Sequence, residues 1–224
     1  MEKSQFDRFA KDYDRVLGES MPPGLNEDGY FAEYKVALMA RRLQGKAVQR
    51  ILDFGCGAGR SLPYLRKHFP DSEVWGYDVS PDSLAVAAAH SPGAILVSDG
   101  SALAGTPFDA ILAANVFHHI PPVDRLDALA LCRGALREGG QMFLFEHNPF
   151  NPMTRWIFER CAFDVDAEML APATAVDLAS RAGFLSGRRG YTLFFPKPLA
   201  FLRGLEPWLE RVPLGTQYYV QMAR

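Results

Sequence analysis

The chain has 224 residues, enough for one domain with a sizeable core and too few for two full domains. Its 24 Lys and Arg residues and 26 Asp and Glu residues give a net charge of −2, which offers no broad positive field for holding nucleic acid. The cysteines, Cys56, Cys132 and Cys161, lack the paired spacings of a zinc site or a disulfide framework, so we expect reduced thiols in a cytoplasmic protein. We expect neither an export signal nor a membrane span, because no suitable apolar run is present.

The N-terminal part of the chain predicts two helices ahead of the first strand. Aromatic residues at helical spacing predict an amphipathic helix over residues 2–16, and a second helical pattern covers residues 30–43. Both helices precede the sheet, so they can cover its working edge. We therefore expect residues 1–48 to form a helical cap within the same domain as a core over residues 49–224.

From residue 50 onward, strand and helix patterns alternate, which is typical of βαβ units around a parallel sheet. Strands are predicted at 50–54, 73–77, 94–97, 108–113 and 141–146, with helices at 60–68, 81–90 and 123–136 and a turn at 137–140. Later patterns predict helices at 154–160, 173–182 and 198–210 and strands at 191–195 and 217–222. The predicted fold is α/β: a Rossmann-like, doubly wound and mostly parallel sheet of about seven strands, with an N-terminal helical cap.

The first strand breaks into alternating glycines, Gly55, Gly57 and Gly59, which predict a tight turn against which a ligand can lie. The dinucleotide fingerprint needs a glycine at its sixth position, where this chain has Arg60, so an NAD site is disfavoured. Asp78 ends the second strand, about where a carboxylate would accept two ribose hydroxyls. The alternative for Asp78 is an acid that caps the next helix.

Five segments carry a joint resemblance: 53–59, 76–80, 98–100, 108–119 and 136–140. In order and spacing, over roughly residues 45–147, they resemble the class I S-adenosylmethionine-dependent methyltransferases. The resemblance implies an enzyme that takes S-adenosylmethionine as cofactor and releases S-adenosylhomocysteine. Displacement at a sulfonium methyl requires no metal, and the sequence shows no ligand cluster at metal-like spacing, so we expect no metal ion.

The same resemblance implies a set of cofactor-binding residues. For the methionine end of the cofactor these are Asp53, Gly55, Cys56, Gly57 and Gly59. For the ribose and the adenine they are Asp78, Val79, Asp99 and Gly100. Asn115 would lie near the reactive methyl group, and Tyr13 is a candidate lid. The alternative for Tyr13 is a core aromatic of an amphipathic helix.

Histidines at the carboxyl ends of two strands are the candidates for catalysis. His119, or its neighbour His118, follows the fourth strand, and His147 ends the fifth beside Glu146. An imidazole at this edge can take a proton from an acceptor. The alternatives are loop packing for the first pair and orientation of an Asn-Pro turn for the second. Because neighbouring strand residues tend to face opposite ways, we do not expect both members of either pair in the site.

The C-terminal part resembles, less specifically, methyltransferases of bacterial surface-polysaccharide and lipid gene clusters. The expected acceptor is therefore a small molecule, a glycan or a lipid intermediate, with no nucleic acid as partner. Two alternatives stay open: a protein or nucleic-acid methyltransferase of the same fold, and a cofactor-binding regulator without turnover. Aromatic and basic residues over 194–203 indicate either peripheral membrane contact or core and oligomer packing, in a monomer or a homodimer.

Overall fold

The computed structural model describes residues 29–161 and 164–224. The helix expected over residues 2–16, with the candidate lid Tyr13, lies outside the described residues. The strands of the described part are β1 (Arg50–Phe54), β2 (Glu73–Tyr77), β3 (Ile95–Val97), β4 (Phe108–Ala114), β5 (Leu136–His147), β6 (Leu185–Thr192) and β7 (Gln217–Ala223). Its α-helices are α1 (Tyr30–Arg42), α2 (Leu62–His68), α3 (Pro81–His90), α4 (Arg125–Ala135), α5 (Pro152–Phe158), α6 (Pro172–Arg181) and α7 (Glu206–Leu209). Two 3₁₀ helices, Gly100–Leu103 and Lys197–Leu205, complete the helical elements described.

The seven strands form one sheet in the order β3-β2-β1-β4-β5-β7-β6. Strands β1 to β5 pair in parallel, whereas β7 runs antiparallel to both β5 and β6. The chain builds outward from β1 through β2 to β3 and then returns to add β4 on the other side. In doubly wound sheets, ligands bind at the carboxyl ends of the strands where the order reverses, here between β1 and β4.

Side chains that alternate along the strands bury two hydrophobic layers, one on each face of the sheet. On β1, Ile51 packs with α1, α2 and α3, while Leu52 faces the layer that contains α4 and α6. Phe143 and Leu144 divide in the same way on β5. Since helices cover both faces, the central strands are mostly apolar, as is typical of parallel sheets.

The predicted fold class is confirmed, and most elements lie within two residues of their expected bounds. Two local predictions were wrong. The strand expected at 191–195 is β6, which begins earlier, at Leu185. The residues expected to form a turn at 137–140 belong to the irregular start of β5, where the register with β4 shifts between Phe108 and Ala110. Gly139, with φ +72°, provides the bend within that segment.

Helix α1 forms part of the hydrophobic core, whereas the sequence suggested only that it covers the edge of the sheet. Val36, Leu38 and Met39 are fully buried against the sheet face beside α2. Its first turns also reach the carboxyl edge of the sheet, where Phe31 and Lys35 line a cavity. The division into a cap over 1–48 and a core over 49–224 stays a prediction, since residues 1–28 are not described.

Candidate active site

A cavity of about 610 Å³ opens at the carboxyl ends of β1, β2, β4 and β5. Its volume lies in the range of ordinary ligand sites, roughly 300 to 1,000 Å³. The loop after β1 forms one part of the wall, and a histidine cluster after β4 and β5 forms another. Both candidate groups of residues therefore line one cavity.

The loop after β1 presents bare backbone to this cavity. Gly57 has φ +51°, a conformation that residues with a Cβ rarely adopt, and a Cβ built there would meet nothing within 4 Å. Its N–H donates to Oδ2 of Asp78 at 2.8 Å. The loop is thus held in place by the end of β2 and leaves open space along its backbone for a ligand.

Asp78 has its own structural partners at the end of β2. Besides the Gly57 contact, its Oδ1 accepts a hydrogen bond from the backbone N–H of Ser80 at 2.9 Å. The N-cap of α3 is Ser80, whose hydroxyl oxygen accepts from the N–H of Ser83. Asp78 lines the cavity and connects two loops, whereas the capping role considered for it is taken by Ser80.

Two buried ionisable residues, Asp53 of β1 and Lys35 of α1, face the same cavity. Burial, and then the nearby Asp78 carboxylate, raises the pKa of Asp53 to about 7, although Lys35 lowers it. Burial lowers the pKa of Lys35 to about 8, against the attraction of Glu146 and Asp53. Both groups are 4% exposed or less, so each is strongly sensitive to any charge that a ligand brings.

The histidine cluster is built around Glu146 at the end of β5. Its Oε1 accepts from the backbone N–H groups of Val116 and Phe117, and its Oε2 lies 2.5 Å from Nδ1 of His118. Nε2 of His118 and Nε2 of His119 each lie 3.5 Å from Oδ1 of Asp164. The cluster thus joins elements that are far apart in the chain.

The ring of Phe158, from α5, covers the histidine cluster. Its centroid lies 5.7 Å from that of His118 and 5.8 Å from that of His147, with an edge-to-face arrangement in both pairs. The ring centroids of His118 and His147 lie 5.0 Å apart. An apolar ring in this position limits the access of water to the imidazoles.

The cluster distributes its charge unevenly among the three imidazoles. Burial opposes a charge on His118, but Glu146 and Asp164 outweigh it and raise the pKa of His118 to about 9. Burial and the neighbouring His118 lower the pKa of His119 to about 3 and that of His147 to about 4. At neutral pH His119 and His147 are therefore uncharged.

Two buried side-chain oxygens in the cavity wall lack a hydrogen-bond partner among the described residues. They are Oδ1 of Asn115 and Oε1 of Gln217. Asn115 also has φ +59°, which is uncommon for a residue with a side chain and is found at functional sites. Since buried polar atoms are normally paired, both oxygens are available to accept a hydrogen bond from a polar ligand or a water molecule in the cavity.

Comparisons with known proteins agree with this geometry. Residues 52–142 match the model of the family described as "Methyltransferase domain". The chain is 30% identical over 165 residues to "Probable methyltransferase ltbC" of Aspergillus luteorubrus, covering 62% of this chain and 58% of that protein. It is 28% identical over 144 residues to "Ribosomal RNA small subunit methyltransferase C" of Pseudomonas entomophila, covering 59% of this chain and 43% of that protein.

A solved structure adds a match of the fold. A SAM-dependent methyltransferase of Thermotoga maritima, described as a possible histamine N-methyltransferase, superposes with a TM-score of 0.72 at 20% identity and covers 97% of each chain. The glycine loop and the order of the strands therefore agree with the family match. The chain is similar to S-adenosylmethionine-dependent methyltransferases, in sequence over residues 52–142 and in fold over nearly its whole length.

The chain matches its curated relatives only in part. It spans 58% of the length of the Aspergillus protein and 43% of that of the Pseudomonas protein. The family match extends from β1 into β5 and includes the glycine loop. In the described part of the chain, no helix is both long and apolar enough to cross a membrane.

Most of the predicted site residues meet at the cavity. Among the predicted residues, those that line the cavity are Asp53, Gly55, Cys56, Gly57, Asp78, Val79, Asn115, His119 and His147. The apolar side chain of Val79 is 55% exposed, so a flat ligand could pack against it. Gly59 lies behind the loop against Ala87. The roles of all these residues, and that of Tyr13, stay predictions.

Asp99 and Gly100 do not form part of the cavity wall. Both carboxylate oxygens of Asp99 accept from Ser101, so the side chain begins a 3₁₀ helix. Gly100 lies behind Leu131 and Tyr77, which do line the cavity. A contact between Asp99 and an adenine would have to be made at the outer rim.

The expectation that only one member of each pair faces the site was wrong for His118 and His119. Both rings line the cavity, because they lie in a turn after β4 rather than in a strand, where side chains alternate. For the pair in β5, His147 lines the cavity, while Glu146 reaches it only through His118. Glu146 is therefore a residue that positions an imidazole.

Lys35 and Asp164 are site residues that the sequence did not indicate. Lys35 occupies a buried position of an amphipathic helix, where a lysine signals something only once its burial is known. Asp164 lies in an irregular segment after α5, with no motif around it. Cys56 and Cys161 also line the cavity, and burial raises the pKa of the Cys56 thiol, which argues against a nucleophilic role for it.

Proposed function

We propose that the protein transfers a methyl group from S-adenosylmethionine to a small-molecule acceptor, with glycan and lipid intermediates among the acceptor classes. The observation that carries this proposal is the single cavity at the β1–β4 edge, which the glycine loop and the histidine cluster both line. Donor and acceptor must meet in line for methyl transfer, and a shared enclosed cavity provides that arrangement.

The residues present fit the cofactor at each of its ends. Asp53 would meet the ammonium group of its methionine end, and the cationic Lys35 and Arg60 line the same region for its carboxylate. The bare backbone of Gly57 admits the ligand, and Asp78 stands beside it for the ribose hydroxyls. The unpartnered oxygen of Asn115 offers a polar contact close to the histidines.

The bound cofactor supplies an electrophilic methyl group on a cationic sulfur. The chain itself positions the acceptor, keeps water away through Phe158 and accepts the proton that a hydroxyl or amine acceptor loses. The uncharged imidazoles of His147 and His119 are the candidates for that proton. Their place beside the glycine loop, in one cavity, supports the assignment.

A ribosomal RNA acceptor is the second candidate, because one relative is named for that substrate. The charge around the cavity disfavours it here. Asp124 and Asp127 line the cavity at exposed positions, and Asp53, Asp78 and Asp164 line it further in. A phosphate backbone binds to positive surfaces, so this acidic wall suits a neutral or cationic small acceptor better.

Radiolabel transfer from S-adenosylmethionine tests the proposal. The purified protein is incubated with fractionated metabolite and lipid extracts and, in parallel, with ribosomal RNA. We expect label in a small-molecule or lipid fraction, and we expect His147→Ala to lower kcat by about 10² or more if the acceptor loses a proton. His90→Ala, on the exposed end of α3, is the matched control. Label in RNA alone, or cofactor binding without any labelled product, would contradict the proposal.

A further inference from the structure

We propose that His118, His119 and Asp164 bind a divalent transition-metal ion, with Glu146 positioning His118 for it. Two imidazoles and one carboxylate form a ligand set that suits Zn²⁺, Fe²⁺ and related ions. The site goes beyond methyl transfer and does not rest on the proposed function. It concerns a cluster that the sequence alone could not assemble, because Asp164 lies 45 residues from His119.

The distances within the cluster match those around a shared ion. Oδ1 of Asp164 lies 3.5 Å from Nε2 of His118 and 3.5 Å from Nε2 of His119, and the three candidate ligand atoms lie within 4.8 Å of one another. A tetrahedral ion with bonds of about 2.0 to 2.1 Å separates its ligand atoms by about 3.3 Å. Ordinary N–H···O hydrogen bonds measure about 2.7 to 3.2 Å, so these contacts are long for direct bonds.

Glu146 sets the orientation of the first ligand. Its Oε2 lies 2.5 Å from Nδ1 of His118, while its Oε1 accepts from the backbone of Val116 and Phe117. The carboxylate is therefore fixed by three contacts. With Nδ1–H donating to Glu146, Nε2 of His118 turns its lone pair toward Asp164. A histidine that ligates a metal usually has a carboxylate or carbonyl behind it in this way.

The charge of the buried cluster favours a divalent ion. The side chains of His118 and Glu146 are each 1% exposed, and that of Asp164 is 8% exposed. Two carboxylates with two neutral imidazoles carry a net charge of −2, which an M²⁺ ion cancels. The competing arrangement places a second proton on His118, between the two carboxylates, and leaves a net charge of −1 in a buried region.

An ion in this position would have three protein ligands and an open side. His118, His119 and Asp164 all line the cavity, so the open side faces the space proposed for the acceptor. An oxygen or nitrogen of the acceptor can complete the coordination there. His119 then serves as a ligand, and His147 remains as the group that takes the proton.

Binding of Co²⁺ and Zn²⁺ to tag-free protein, stripped with a chelator and returned to metal-free buffer, tests the site. We expect one equivalent by calorimetry and visible absorption bands from bound Co²⁺. His119→Ala and Asp164→Asn should each weaken binding at least tenfold, and Glu146→Gln about 10- to 100-fold. The exposed substitutions His90→Ala and Asp71→Asn should bind like the wild type.

Calorimetry with S-adenosylmethionine on the same variants separates this test from the proposed function. Because the glycine loop is unchanged in these variants, they should still bind the cofactor even where they lose the metal ion. If a variant does not fold, NMR of the ¹⁵N-histidine-labelled wild type decides: Zn²⁺ should shift the ring-nitrogen signals of His118 and His119 and leave His90 unchanged. No binding to the folded wild type, binding unaffected by both ligand substitutions, or Zn²⁺ shifts at other histidines alone would overturn the proposal.

Discussion

Asp53 lies near the end of β1, where burial and the carboxylate of Asp78 disfavour its ionised form. Its pKa is raised to about 7, first by burial and then by Asp78, and Lys35 of α1 is the cation that moderates the effect. A ligand with an ammonium group changes this balance, because the ionised carboxylate then gains a partner. If Asp53 meets the ammonium group of the cofactor, binding should release a proton from it.

The affinity for S-adenosylmethionine should consequently rise with pH between about 5.5 and 7. Below its raised pKa Asp53 holds a proton that the bound ammonium displaces, so each pH unit lost weakens binding by up to about tenfold. Above about pH 7 this dependence should flatten. Calorimetry over this range checks the slope, and Asp53→Asn should bind weakly and without it. An equally steep slope in the Asp53→Asn variant would assign the proton to another group.

At the residue scale, the sequence indicated the side chains that follow strand ends in recognisable motifs. Asp53, Asp78, Asn115, His119 and His147 all line the cavity as their positions predicted. Lys35 and Asp164 could not be found in this way, since a helix and an irregular segment bring them in from outside the sheet. Their roles depend on burial and proximity, which no local pattern encodes.

At the scale of elements, the loop between β1 and α2 assigns different tasks to its glycines. Gly57 faces the cavity, and a Cβ there would meet nothing within 4 Å. Gly59, with φ +80°, lies against α3, where a Cβ would approach Cβ of Ala87 to 2.8 Å. One glycine leaves room for a ligand, and the other leaves room for a helix.

Substitution by alanine should separate these tasks. Gly59→Ala should lower the free energy of unfolding by about 2 to 5 kcal/mol, through left-handed strain of about 1 to 2 kcal/mol and overpacking of about 1 to 3 kcal/mol. Gly57→Ala should cost only the strain, yet weaken cofactor binding. Denaturant unfolding and calorimetry measure the two effects.

Gly45 provides the matched control for this pair. It has φ +81°, a Cβ there would meet nothing within 4 Å, and it does not line the cavity. Gly45→Ala should therefore cost about as much stability as Gly57→Ala and leave cofactor binding unchanged. Equal binding by the Gly57 and Gly45 variants would place the ligand away from the loop.

The sequence predicted the bounds of a helix or strand correctly where it carried one strong local signal. Strands β1 and β2 and helix α3 begin and end where the pattern predicted, because apolar runs and the Ser80-Pro81 cap mark them clearly. Strand β6 was misplaced: its residues Arg188 and Arg189 lie at the edge of the sheet, where a strand needs no apolar face. Pairing with β7, rather than local composition, determines where that strand begins.

At the scale of the whole molecule, the order of the strands places the site. The sheet reverses direction of growth between β1 and β4, and their carboxyl ends bring together the glycine loop and the residues after β4. The alternating pattern predicted a doubly wound sheet with this edge. The insertion of antiparallel β7 between β5 and β6 depends on long-range pairing and could not be inferred from the sequence.

The central claim is that this edge holds S-adenosylmethionine between the glycine loop and Asp78, and titration calorimetry of the purified protein with its cofactor tests it most directly. We predict one binding site in the wild type and in Asp71→Ala, an exposed control. Asp78→Ala, verified as folded, should lose about 1 to 2 kcal/mol of binding free energy, the cost of unmade hydrogen bonds to a charged group. A folded wild type that binds no S-adenosylmethionine, or an Asp78→Ala variant that binds it like the wild type, would contradict the account.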